Sequence, residues 1–198
     1  MGTSNIFVGG KELANYTSST DKLSLTSSVD FPSGHILQVI CGVEREVVTD
    51  SDTGWNDLPS DDMTLTITLS SASNKVLVLF NAQVAQISGW TPVIRIVRNK
   101  PSADTIVTAG TSSDTGTGPQ GLGLAPGYSA AGPSSELIGH QGASFLDTPN
   151  TTDPITYKCQ WYGRTDSSGK NLLNRMDAGY QAYYGKGVSS LTLFELKA

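Results

Sequence analysis

The sequence predicts an all-β antiparallel domain, of the sandwich, jelly-roll or barrel kind, on three observations. Apolar residues recur with period two, turn residues punctuate the chain every 8–15 residues or so, and no helical period lasts three turns. The longest helical fragment, Lys11-Glu-Leu-Ala-Asn15, is too short to count. A length of 198 residues suits one domain, or one domain with an arm, and allows a real core. Charged residues make up 16%, and the 21 glycines and 9 prolines act as punctuation.

Taken in order, residues 1–34 form an N-terminal arm of weak alternation, closed by Asp30-Phe-Pro-Ser-Gly34. Residues 35–198 form the domain. Its first strand, His35 to Val43, is expected to turn Leu37, Val39, Cys41 and Val43 inward. A turn cluster covers Asp50–Asp62. Met63-Thr-Leu65-Thr-Ile67-Thr-Leu69 then alternates cleanly, with one buried face and one wet face. After the Ser70–Asn74 turn, Lys75 to Val84 is apolar on both faces at its start and reads as a central strand covered on each side. Pro92–Arg98 and Asp104–Thr108 are strands around an Asn99–Ala103 turn. A Gly-rich insertion, 110–143, holds nine glycines and three prolines; loops of that length are usually functional or contact-making. The corner Asp147–Pro154 launches Ile155 to Trp161, which should send Tyr157, Cys159 and Trp161 into the core and leave Lys158 and Gln160 outside. The corner's acids read as turn residues. Arg164–Lys170 is a turn, and Ser190 to Leu196 closes the domain.

Charge narrows the function. The net charge is −5 and no basic stripe exists, which disfavours nucleic acid, whose phosphates need clustered Lys and Arg. No apolar run reaches membrane-spanning length, so no membrane insertion is expected. The first residues lack a signal-peptide pattern, and Ile6 stands where myristoylation needs Ser or Thr. Cys41 and Cys159 both read as buried, reduced thiols.

Motifs for chemistry fail on context. Gly116-Thr-Gly118-Pro-Gln-Gly121 has the dinucleotide spacing, but Pro119 and the following Leu-Gly-Leu-Ala-Pro cannot open a helix. Asp50, Asp52 and Asp61 offer the one candidate Ca2+ site; glycine and Trp55 fall one place off the calcium-loop pattern, and a solvated acidic turn is the plainer reading. His35 and His140 are the only histidines, and His140 near Ser144 and Asp147 has no triad spacing. No catalytic residue, metal or cofactor is therefore assigned. Tyr180, Tyr183, Tyr184 and Trp90 are candidate partner or receptor contacts, because tyrosines flanked by glycine make common contact chemistry; packing at a subunit interface is the plainer alternative.

A chain-wide pattern adds to this. Gly34-His-Ile-Leu-Gln-Val39, Trp55-Asn-Asp57-Leu and Leu65-Thr-Ile-Thr-Leu-Ser-Ser-Ala-Ser-Asn-Lys75-Val-Leu-Val come first. Ile94-Arg-Ile-Val-Arg98, Ser144-Phe-Leu-Asp-Thr-Pro149, Thr156-Tyr-Lys158 and Ser190-Leu-Thr-Leu-Phe-Glu195 follow. In that order, over about residues 34–196, they resemble a family of tailed-phage virion proteins frequent in marine and cyanobacterial viruses. The resemblance implies a trimeric jelly roll shaped like the complement C1q and tumour-necrosis-factor heads. It implies a non-enzymatic structural protein on the virion surface, assembled in the host cytoplasm: a capsid decoration, cement or head-fibre protein joined to other virion proteins through residues 1–34. The alternative is the receptor-binding tip of a tail fibre, meeting a host surface glycan or protein. The long insertion and short arm depart from the family's pattern, and the family supplies no catalytic residues to carry over.

Overall fold

A computed structural model describes residues 3–17, 22–25, 31–86, 93–100, 103–106, 139–163, 171–175 and 186–198. Residues 1–35 with Lys197 form one compact unit, and 36–196 with Ala198 a second.

The first unit is a three-stranded antiparallel sheet of β1 (Thr3–Val8), β2 (Lys11–Thr17) and β3 (Lys22–Leu25), in that order. Residues 3–17 and 22–25 of the expected arm are thus folded. Gly9 and Gly10, with φ of 60° and 79°, make the two-residue turn between β1 and β2, the conformation a tight hairpin demands.

The second unit contains β4 (Ile36–Glu44), β5 (Val48–Asp50), β6 (Gly54–Asp57), a 3-10 turn (Asp61–Met63), β7 (Thr64–Ile67) and β8 (Lys75–Gln86). Then come β9 (Ile94–Lys100), β10 (Ala103–Ile106), β11 (Gly139–Asp147), β12 (Ile155–Gly163), β13 (Asn171–Leu173) and β14 (Ser189–Leu196). The protein is all-β and antiparallel, as its period-two pattern requires.

Two sheets share one core. The six-stranded sheet runs β4-β14-β8-β13-β5, with β11 on the other edge of β8. The five-stranded sheet runs β10-β9-β12-β6, with β7 following β6 along the same edge of β12. The chain passes repeatedly between them: β4, then β6 and β7 opposite, β8 back, β9 and β10 opposite, β11 back, β12 opposite, β14 back. The core draws Val76, Val78, Phe80, Leu191 and Leu193 from the first sheet. From the second it draws Ile94, Ile96, Ile155, Tyr157, Cys159 and Trp161. Each fully buried side chain of this size stabilises by about 1.5–3 kcal/mol before the cost of ordering the chain.

Several expectations shift. The turn cluster 50–62 contains strand β6 and the 3-10 turn, because Asp57, Lys158 and Gln160 bond across the β6–β12 pair where no alternation signalled a strand. The last residues of the Gly-rich insertion, 139–143, lie in β11, nine residues paired along β8. β4 faces the opposite way from its expectation. Gly42 and Glu44 are buried while Val39 and Cys41 are exposed, so Cys41 is not a buried thiol. The cause is that β4 has apolar residues at both parities, and its inward glycine lies against the turn before β7. A Cβ on Gly42 would stand 1.9 Å from the Asp62 carbonyl oxygen. Likewise β8 buries Val76, Val78 and Phe80, whereas Leu79 on its other side is open to solvent within the single chain.

Candidate functional site

Three constellations inside the second unit carry chemistry. The first is buried. Arg98 of β9 places Nη1 at 2.6 Å from each carboxylate oxygen of Asp147, at the end of β11, and the Tyr157 hydroxyl of β12 donates to Asp147 Oδ2 at 2.6 Å. One carboxylate therefore joins the two sheets. Asp147 also accepts the Thr148 N–H at 2.9 Å, as a turn acid would, but its main partners are interior. Burial, and then the hydrogen bond to Asp147, push the Tyr157 hydroxyl far above the usual phenol range. Burial alone does the same to the Cys159 thiol. Neither group is a nucleophile at neutral pH.

The second constellation is the outer face of the six-stranded sheet. Register places Val39, Phe194, Leu77 and Leu146 in one row across β4, β14, β8 and β11. Cys41, Thr192, Leu79 and Ser144 form the next row, and Ile36, Leu196 and Lys75 flank the first. Relative exposures of 53% at Val39, 51% at Leu146, 49% at Ile36 and 39% at Leu79 mark a patch with apolar side chains turned to solvent. Lys75 is the one Lys, Arg, Asp or Glu in these rows.

The third constellation is the outer face of the five-stranded sheet. Arg95 lies over the Trp55 ring, 4.0 Å from its centroid, and its Nε donates to Gln160 Oε1 at 2.7 Å. Gln160 Nε2 donates to Asp57 Oδ1 at 2.5 Å, and Lys158 Nζ donates to Asp57 Oδ2 at 3.1 Å. The Tyr162 ring meets Trp55 edge-on at 5.4 Å. Lys158 and Gln160 stand on the outer side, as expected, although Gln160 is buried beneath its neighbours.

The residues singled out from the sequence fare differently. Tyr180, Tyr183, Tyr184 and Trp90 lie outside the described residues. Asp50 is committed elsewhere: its Oδ2 accepts the Trp161 indole N–H at 2.8 Å and its Oδ1 the Asp52 N–H at 2.9 Å. Asp61 sits on the 3-10 turn, and among the described residues no three His, Cys, Asp or Glu side chains gather to hold a metal ion. His140 is the second residue of β11 and Asp147 the last, so nearly the strand's whole length separates them. His35 stacks on Phe31, with centroids 4.2 Å apart. Arg95, Asp57 and Gln160 escaped the sequence reading as a group. Their shared face depends on the pairing of β6, β12 and β9, which no local pattern specifies; the one available signal was Lys158 and Gln160 at outward positions of a strong strand. No protein-family model and no curated protein matches this chain.

Proposed function

We propose that the chain is a non-enzymatic structural protein of a tailed-phage virion. On this reading it is a trimeric jelly roll displayed on the particle as a decoration, cement or head-fibre protein and attached through residues 1–34. The observation that carries the reading is the outer face of the six-stranded sheet. A solvated antiparallel sheet alternates polar residues on its wet side; this one presents leucine, valine, isoleucine and phenylalanine in register across four strands. Four strands about 4.8 Å apart and about eight residues long give a flat footprint of roughly 500 Å² before side-chain relief. That approaches the ~800 Å² of accessible surface each partner contributes to a stable pair. The partner is another copy. The chain carries a net charge of −5, and copies of it meet with least repulsion where the face holds no carboxylate.

The chain path supports the jelly-roll part of the proposal. β4-β14-β8-β11 opposed to β7-β12-β9-β10, with successive strands exchanging sheets, has the interleaved order of a double Greek key. Light scattering on the purified chain tests the assembly: three times the 20.9 kDa chain mass is expected. A folded Leu79→Asp variant should run as a monomer, and a monomeric parent protein would sink the proposal. Antibody labelling of intact particles distinguishes head decoration from the tail-fibre alternative, since labelling confined to the tail favours the latter.

A further inference from the structure

The outer face of the five-stranded sheet is polar and aromatic where its counterpart is apolar. Trp55 stands opposite Tyr162, and the next row sets Asp57, Gln160 and Arg95 side by side. No exposed large apolar side chain of the described residues lies in these rows. We infer that this face is a binding platform for a neutral carbohydrate chain, centred on Trp55, Asp57, Arg95 and Gln160.

A sugar presents two chemistries at once. Its C–H faces are apolar, and its hydroxyls each donate and accept. A receptor surface therefore needs an aromatic ring beside acceptors and donors fixed a few ångströms apart. Here the half-buried Tyr162 and Trp55, the latter with one face covered by Arg95, supply the rings, Asp57 the acceptor, and Arg95 and Lys158 the donors. Each Asp57 oxygen accepts one bond, from Gln160 or Lys158, while a carboxylate offers about four acceptor sites, so ligand hydroxyls have positions to fill.

The group is also held in advance. Arg95 is fixed by the Trp55 ring and by Gln160, and Gln160 by Arg95 and Asp57. Side chains already ordered lose little rotamer freedom when a ligand arrives. The Trp55–Tyr162 cross-strand pair also stabilises the sheet; what a merely wet sheet does not need is the fixed set of donors and acceptors beside it. The class of ligand follows from charge and apolarity. The Lys158–Asp57 ion pair balances locally, and Arg95 is engaged by the Trp55 ring and Gln160, an arrangement that suits an uncharged ligand. The rows lack the apolar centre that a protein interface requires. The inference is independent of self-association, because it uses the other sheet.

The test is an array of immobilised neutral and acidic glycans probed with the full chain. It is followed by calorimetric titration of soluble hexasaccharides of glucose, mannose and xylose, and of any array hit. At least one neutral glycan should bind, in the micromolar to millimolar range. Asp57→Asn, nearly isosteric, and Arg95→Gln should each weaken binding about tenfold or more, the loss expected when a charge-assisted hydrogen bond disappears. Leu79→Asp should leave the affinity per chain unchanged. Absence of any neutral hit, binding of acidic glycans alone, or affinity untouched by both platform variants would overturn the inference. Circular dichroism and urea unfolding verify the fold of each variant, so Trp55→Ala is not needed for the decision.

Discussion

Asp147 shows how much a single side chain can depend on residues far away in the sequence. Flanked by Thr and Pro, it has the look of a turn acid; only the docking of β9 and β12 makes it the counter-ion of Arg98 and the acceptor of Tyr157. Breaking a buried pair leaves the surviving charge uncompensated, at about 3–5 kcal/mol. Asp147→Ala should therefore lower unfolding stability by about 3 kcal/mol or more in a urea titration. The Arg98→Leu, Asp147→Leu pair should recover most of that loss, since burying neither charge avoids both desolvation costs. Equal losses in the single and double variants would contradict this. Cys159 gives a pH signature of its own. Its folded-state pKa is raised, so the native chain keeps a proton that the unfolded chain has lost. The stability is whole below the ordinary thiol pKa of about 8.5 and falls above it, by up to ~1.4 kcal/mol per pH unit. Tyr157 adds a second decline above about pH 10, by the same sign. Cys159→Ala should remove the first decline and keep the second, as read from urea midpoints between pH 7 and 11.

At the scale of elements, alternation made the long strands legible. β7, β8, β12 and β14 lie where period two put them, and Tyr157, Cys159 and Trp161 reach the core. Alternation failed where a strand is apolar at both parities: β4 was expected one residue out of register, and its true orientation depends on Gly42 fitting beneath the Asp62 carbonyl. Gly42→Ala should cost about 3 kcal/mol or more, because the obstacle is backbone rather than a side chain that can turn away. A loss under about 1 kcal/mol would mean the turn yields. Short strands such as β6 and β13 carry too few residues for any period to show, and they form because β12 and β8 offer open edges. The Gly-Gly pair between β1 and β2 did announce a hairpin in the sequence, but weak alternation around it hid the signal. The corner 147–154 keeps its scaffolding role. Asn150 takes the left-handed backbone (φ 55°), and Thr151 holds Asp153 through its N–H at 3.0 Å.

For the whole molecule, the decisive contrast is between two sheet faces, one apolar and one hydrogen-bonding. The candidate site on the second face was illegible from the sequence because its members come from three strands whose order along the chain is not their order in the sheet. The apolar face had a partial signal in the two-sided apolarity of β8 and β14. It also contains a built-in reporter. Cys159 is buried and Cys41 lies on that face. If copies associate there, an alkylating reagent should modify Cys41 slowly in the parent protein and rapidly in Leu79→Asp, while Cys159 reacts only on unfolding. Equally fast labelling of Cys41 in both proteins would place the contact elsewhere.

The position of β14 between β4 and β8 has a further consequence, for biosynthesis. A ribosome releases β4 early and β8 soon after, yet the strand that joins them is made only after nearly all the rest of the domain has emerged. Until then both neighbours hold an unpaired edge, and the apolar face exists only in halves. A nascent chain therefore has no complete surface with which to capture a sister chain on the same message. If copies pair through that face, closure of the sheet must come first and pairing second, so the fold itself delays association until the domain is closed.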